Sequence, residues 1–182
     1  MSRFHRTVRH ALPVAAVLLA ACKGGGDGRP AIDEGPPPEL RSYDVRGSAD
    51  KLPLLQAEQI DSRSNDGRFR IDWEIAQANG YEADVYVSDN PYPPLMPYGG
   101  ADGKIRFASL YCWDESPDCG LKHTLNCRFD PHNVLECEGQ GAVDLTQWLG
   151  ELPRDAWIVF TACNRQDGGR SCAGSAVEVE FR

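Results

Sequence analysis

Six cysteines placed around two turn signals constrain this chain more than any other feature. Asp167-Gly168 is a strong two-residue type I′ signal. With Gln166 facing Gly169, counting outward puts Cys163 opposite Cys172. Pro131-His132-Asn133 suits a three-residue hairpin loop, with Pro131 opening a type I turn and Asn133 taking the left-handed position. Counting outward from Asp130 and Val134 then puts Cys127 opposite Cys137. In both hairpins the cysteines lie three pairs beyond the closing pair, in a non-hydrogen-bonded position. Cα atoms there are about 4.5 Å apart, inside the disulfide range. Cys112 and Cys119 pair by elimination and close the polar loop from Trp113 to Asp118. Each short ring should contribute roughly 2–3 kcal/mol through loop-closure entropy. Bridges this local staple hairpins and a loop, leaving the union of two sheets to the core. No C-x-x-C is present, so a structural role is expected for all three.

Between the turns the apolar residues recur with a period of two. Phe69, Ile71, Trp73 and Ile75 alternate with Arg70, Asp72 and Glu74, which describes a half-buried strand. Ala83, Val85 and Val87 form a second and Ile105 with Phe107 a third. Residues 124–129, 134–138, 157–163 and 176–181 complete a set of about seven, and residues 52–60 offer a leading strand. Val143 to Leu149 is the one helical candidate. Trp73, Phe107, Trp157, Phe160 and the valines are the expected core. Short strands separated by turn signals point to an all-β sandwich over residues 51–182.

The N-terminus has a different character. Arg3, Arg6 and Arg9 precede an apolar run from Ala11 to Ala21, too short to span a bilayer and suited to a signal peptide. It ends in Leu19-Ala20-Ala21-Cys22, which resembles the lipobox of bacterial lipoproteins. The resemblance implies removal of residues 1–21 and attachment of palmitate-type acyl chains at Cys22, giving stable anchoring to the membrane. Lys23 after the cysteine, where an aspartate would signal inner-membrane retention, implies the outer membrane of a bacterial envelope. Residues 22–50 carry Gly24-Gly25-Gly26, Gly28, Gly35 and Pro36-Pro37-Pro38 with few large apolar side chains. Such a stretch is expected to stay disordered, as a tether with a reach of roughly 30 Å.

Residues 51–182 resemble a fibronectin type III or related immunoglobulin-like domain, with Trp73 where that family places its second-strand tryptophan. Leu152-Pro153-Arg154-Asp155-Ala156-Trp157 resembles the approach to its sixth strand, with Trp157 in place of the corner tyrosine. The resemblance implies an architecture and no particular activity.

Charge and motifs narrow the chemistry. Cleavage after Ala21 leaves 16 Lys and Arg against 27 Asp and Glu, taking the formal charge from −8 to −11. So acidic a surface argues against nucleic acid as a partner. His123 and His132, the two histidines after Cys22, have no metal-ligand spacing, and Asp114, Glu115 and Asp118 match no calcium-loop order. No G-x-S-x-G elbow or phosphate-cradling glycine loop occurs. Neither metal, cofactor nor catalysis is expected. The segment from Asp89 to Gly100 is longer than a hairpin needs and carries four prolines with Tyr92, Leu95, Met96 and Tyr98. Aromatics on a long loop suit recognition, and covering a sheet edge is the competing use. The functional expectation is a non-catalytic binding module for another envelope protein, glycan or surface ligand. The alternatives are an assembly accessory of a secretion, pilus or envelope complex, or an enzyme inhibitor.

Overall fold

The computed structural model describes residues 38–47, 57–76, 80–92, 103–113, 119–166 and 169–182. They form two five-stranded sheets facing each other across one core. The strands are β1 (Leu40–Arg46), β2 (Glu58–Ile60), β3 (Arg68–Ile75), β4 (Tyr81–Ser88), β5 (Lys104–Cys112), β6 (Lys122–Phe129), β7 (Val134–Cys137), β8 (Val143–Asp144), β9 (Arg154–Gln166) and β10 (Gly169–Phe181). One sheet has the order β1-β3-β6-β7-β8 and the other β2-β10-β9-β4-β5. Every pairing is antiparallel except β2 on β10.

Three features correct the sequence reading. Ten strands are present, against the seven or so expected. Within the stretch expected to be tether to residue 50, Leu40–Arg46 form strand β1, because Tyr43 and Val45 alternate with Ser42, Asp44 and Arg46 and fill the open edge of β3. Val45 is buried, and Tyr43 stacks on Phe160 at 5.3 Å while its hydroxyl donates to the Ile158 carbonyl at 3.0 Å. The expected helix from Val143 to Leu149 splits into β8 and a single helical turn, α1 (Thr146–Leu149).

The period-two pattern explains the first sheet directly. Phe69, Ile71, Trp73 and Ile75 point inward, the first three opposite Cys127, Leu125 and His123 of β6, while Arg68, Arg70, Asp72 and Glu74 face solvent. Strand β9 is central in the second sheet and buried on both faces, as its near-continuous apolar run suits. Ala156, Ile158, Phe160 and Ala162 face the core. Trp157, expected there, lies instead on the other face, opposite Glu178 and Ser88, and is half-buried. In β5 an extra residue at Phe107 shifts the register against β4, so consecutive Phe107 and Ala108 are both buried.

The three disulfides are Cys112–Cys119, Cys127–Cys137 and Cys163–Cys172. The two hairpin pairs are direct cross-strand partners with Cα separations of 4.0 and 4.1 Å. Asn133 has φ +62°, the left-handed position its turn requires. Asp130 and Val134 close that hairpin, the Asp130 N–H donating to the Val134 carbonyl at 3.0 Å. Gln166 faces Gly169 in the other hairpin, whose turn residues lie outside the described ones. Cys112–Cys119 closes the connection through which the chain passes from β5 in one sheet to β6 in the other.

Register also defines two ends. Glu39, the start of β4, the Cys112–Cys119 closure and the β9–β10 hairpin share one end, since Leu40 pairs with Ile75 and Tyr81 with Cys112. The end of β4, the start of β5, the β6–β7 turn and the C-terminus share the other, where Ser88 pairs with both Lys104 and Trp157. With β3 eight residues long, these ends are about 26 Å apart.

Candidate functional site

The β4–β5 connection leaves the sandwich through a stem built from short polar side chains. Ser88 is buried, and its hydroxyl accepts the Asn90 backbone N–H at 3.2 Å. The Asn90 side-chain oxygen accepts the Tyr92 N–H at 3.2 Å, an Asx turn that fixes where Tyr92 leaves the strand. The Asn90 amide donates to the Asp89 carboxylate at 3.0 Å. Across the stem, the Asp89 N–H donates to the Gly103 carbonyl at 3.4 Å. Gly103 has φ +79°, and a Cβ there would meet the Asp89 carboxylate at 2.6 Å, so both conformation and space require glycine.

This stem displays Tyr92, which is 74% exposed, the most exposed large hydrophobic residue described. Leu95, Met96 and Tyr98 lie outside the described residues, as does Cys22. Sequence reasoning found the loop and missed its stem. The signal was present in Asp89-Asn90-Pro91, a turn-initiating run whose asparagine caps the backbone two residues on.

The opposite end contains a buried polar relay that the sequence did not announce. The Trp73 indole N–H donates to the Tyr81 hydroxyl at 3.0 Å, which donates in turn to the Gly120 carbonyl at 2.6 Å. Burial pushes the Tyr81 phenol up to about 12, against the opposing effect of the indole donor. Tyr43 is likewise raised by burial, with the Asp44 charge adding to it. These phenols are structural hydrogen-bond donors at physiological pH. His123, facing Trp73 at a ring separation of 4.8 Å, is held below its ordinary value by burial, partly offset by the Glu138 charge.

The depressed His123 value carries a sign. An unfolded imidazole titrates near 6.5, so between that value and the lower folded one the unfolded chain binds more protons. The neutral side chain contributes stability above about pH 6.5, and that contribution is lost as pH falls through the window beneath it. The expected result is a thermal midpoint that declines from pH 7.5 to 5.5 in the native chain and declines less in His123→Gln. Parallel declines would assign the pH dependence to other groups.

Among the described residues no cluster of three His, Cys, Asp or Glu side chains is placed to hold a metal ion. No described helix is long and apolar enough to cross a membrane. Compared with known protein families, curated proteins and solved structures, the chain matches none.

Proposed function

We propose that this chain is a lipid-anchored protein of the bacterial envelope, its outer membrane by the residue after Cys22, and that its sandwich is a non-catalytic binding module. The observation that carries this reading is the polar stem that holds Tyr92 out at one end of the domain. The chain enters β1 at the other end, through Glu39 and Leu40. A lipid at Cys22 would therefore leave Tyr92 on the side away from its own membrane. With β1 beginning at Leu40, the tether proposed after Cys22 is shorter than the stretch to residue 50, and its residues up to 37 lie outside the described ones. A display site needs an aromatic anchor and a fixed base, and little else from the rest of the fold.

We further propose that the sandwich has a fibronectin type III-like frame, which bears on its architecture and not on its activity. Seven of the ten strands, β1, β3, β4, β5, β6, β9 and β10, are the long ones, at seven to thirteen residues each. Counted among these seven, Trp73 falls on the second and Trp157 on the sixth, the two positions on which the resemblance rests. β2, β7 and β8 are then short additions at sheet edges or beside them.

The test is crosslinking in intact envelopes with the native chain and the triple variant Tyr92→Ser, Met96→Ser, Tyr98→Ser. The variant should keep its thermal midpoint and lose its specific adducts by on the order of tenfold, as expected when aromatic anchors are removed. Unchanged adducts from a folded variant would overturn the loop reading. Stoichiometric recovery in a membrane complex, unaffected by the variant, would favour an assembly accessory.

A further inference from the structure

The solvent face of the β1-β3-β6-β7-β8 sheet carries an open depression of about 460 Å³ beside the β6–β7 hairpin. Arg68, Asn126, Arg128, Glu136, Glu138 and Gln140 supply its polar lining. Register sets their order. Arg68 lies directly opposite Arg128, and Arg128 opposite Glu136. Asn126 and Glu138 form the next row, the Glu138 N–H donating to the Asn126 carbonyl at 2.9 Å.

Four of these side chains are already fixed. Arg128 Nε donates to the Asp66 carbonyl at 3.1 Å, and Asn126 Nδ2 to a Glu138 carboxylate oxygen at 3.0 Å. Gln140 Oε1 accepts the Ser109 N–H at 2.9 Å, and its amide donates to the Gly139 carbonyl at 3.1 Å. Each keeps further capacity: the outer guanidinium N–H groups, Asn126 Oδ1, the second Glu138 oxygen and the second Gln140 amide N–H.

The charge pattern is uneven across this face. Arg46 and Arg70 both reach Asp72, at 3.7 and 3.1 Å, and Arg41 and Lys122 both reach Glu74, at 3.5 and 3.2 Å. The Arg68–Arg128 row is different. Two like charges sit directly opposite, an arrangement that destabilises a sheet, and neither guanidinium has a carboxylate at ion-pair distance among the described residues. On a chain of formal charge −8, that is a local cationic pair left for something else.

We infer that this depression binds an acidic saccharide, its carboxylate or phosphate seated between Arg68 and Arg128 and its hydroxyls read by Asn126, Glu138 and Gln140. Paired guanidinium groups match a planar or tetrahedral oxyanion by charge-assisted, bidentate hydrogen bonds. A bare anion fits less well, because Glu136 and Glu138 line the same floor. A ligand with an acid at one side and hydroxyls at the other satisfies both halves. This site shares no residue with the Tyr92 stem, so either reading can fail alone.

The test is an NMR titration of the mature chain carrying Cys22→Ser for solubility, with glucuronic acid, glucose 6-phosphate, glucose and inorganic phosphate as probes. Both acidic sugars should shift the Arg68, Arg128 and Asn126 side-chain resonances saturably. Glucose and phosphate alone should bind at least about tenfold more weakly, and Arg68→Gln with Arg128→Gln should weaken the acidic sugars by a similar factor. The double variant should keep or raise its thermal midpoint, since it removes a like-charge pair. No saturation by either acidic sugar below about 50 mM overturns the proposal, as does phosphate binding as tightly as its sugar ester. A lowered midpoint in the double variant would assign the arginines a structural role instead. Phosphatidylglycerol vesicles binding through the arginines, without free-sugar binding, would overturn it in favour of a lipid headgroup.

Discussion

Phe160→Ala is expected to cost about 3–5 kcal/mol, at the upper end of what a single core substitution does. The ring is fully buried on the central strand β9, stacked on Tyr43 at 5.3 Å and tilted against Trp73 at 5.0 Å. Tyr43 and Trp73 belong to the opposite sheet, on β1 and β3. Phe160 is thus the point at which three aromatic rings from two sheets meet. No disulfide offsets its loss. Cys127–Cys137 and Cys163–Cys172 each stay within one sheet, and Cys112–Cys119 only shortens the crossover between them. In thermal unfolding of the oxidised chain the midpoint should fall by roughly 6–20 °C, from a dependence of about 2–4 °C per kcal/mol in domains of this size. A denaturant slope unchanged from the native chain would show that the same surface is exposed on unfolding. A loss below about 1 kcal/mol would mean that the sheets are joined elsewhere.

How much of this the sequence discloses depends on how local the determinant is. The Cys127–Cys137 hairpin is legible because Pro131, His132 and Asn133 set the turn, and the turn sets the register for every pair beyond it. The inward face of β3 is legible because its outward neighbours are charged. Trp157 is misread for the opposite reason. In a strand buried on both faces, Trp157, Val159 and Thr161 are as compatible with the core as Ala156, Ile158 and Phe160. Only pairing with β4 and β10, remote in sequence, decides which set faces inward. Strand β1 is hidden similarly, since Tyr43 and Val45 are too few to distinguish a strand from a Gly- and Pro-rich tether until β3 supplies an edge. The Arg68–Arg128 opposition joins residues sixty apart and has no local signal at all.

Cys22→Ser is expected to move the chain from the membrane fraction to the soluble one. Each acyl methylene buried in a bilayer contributes about 0.8 kcal/mol, so two or more chains on one sulfur and its amine give anchoring that washing does not reverse. Removing the thiol removes the attachment point, and nothing described in the domain replaces it. The other six cysteines are committed to one another. No described helix has the length and apolarity to span a bilayer. The exposed face of the first sheet is a lattice of arginines, aspartates and glutamates, which resists transfer into lipid. The change should therefore be close to all-or-none in detergent-phase partitioning, whereas Tyr92→Ser should leave the partitioning unaltered. Continued detergent-phase recovery of Cys22→Ser would refute the anchor. The stem of the β4–β5 loop and the depression at Arg68 and Arg128 would stand after that result, because both are built from the sandwich's own residues. What would fall is the orientation, which places Tyr92 on the side away from the membrane only if the chain is held at the end where Glu39 enters β1.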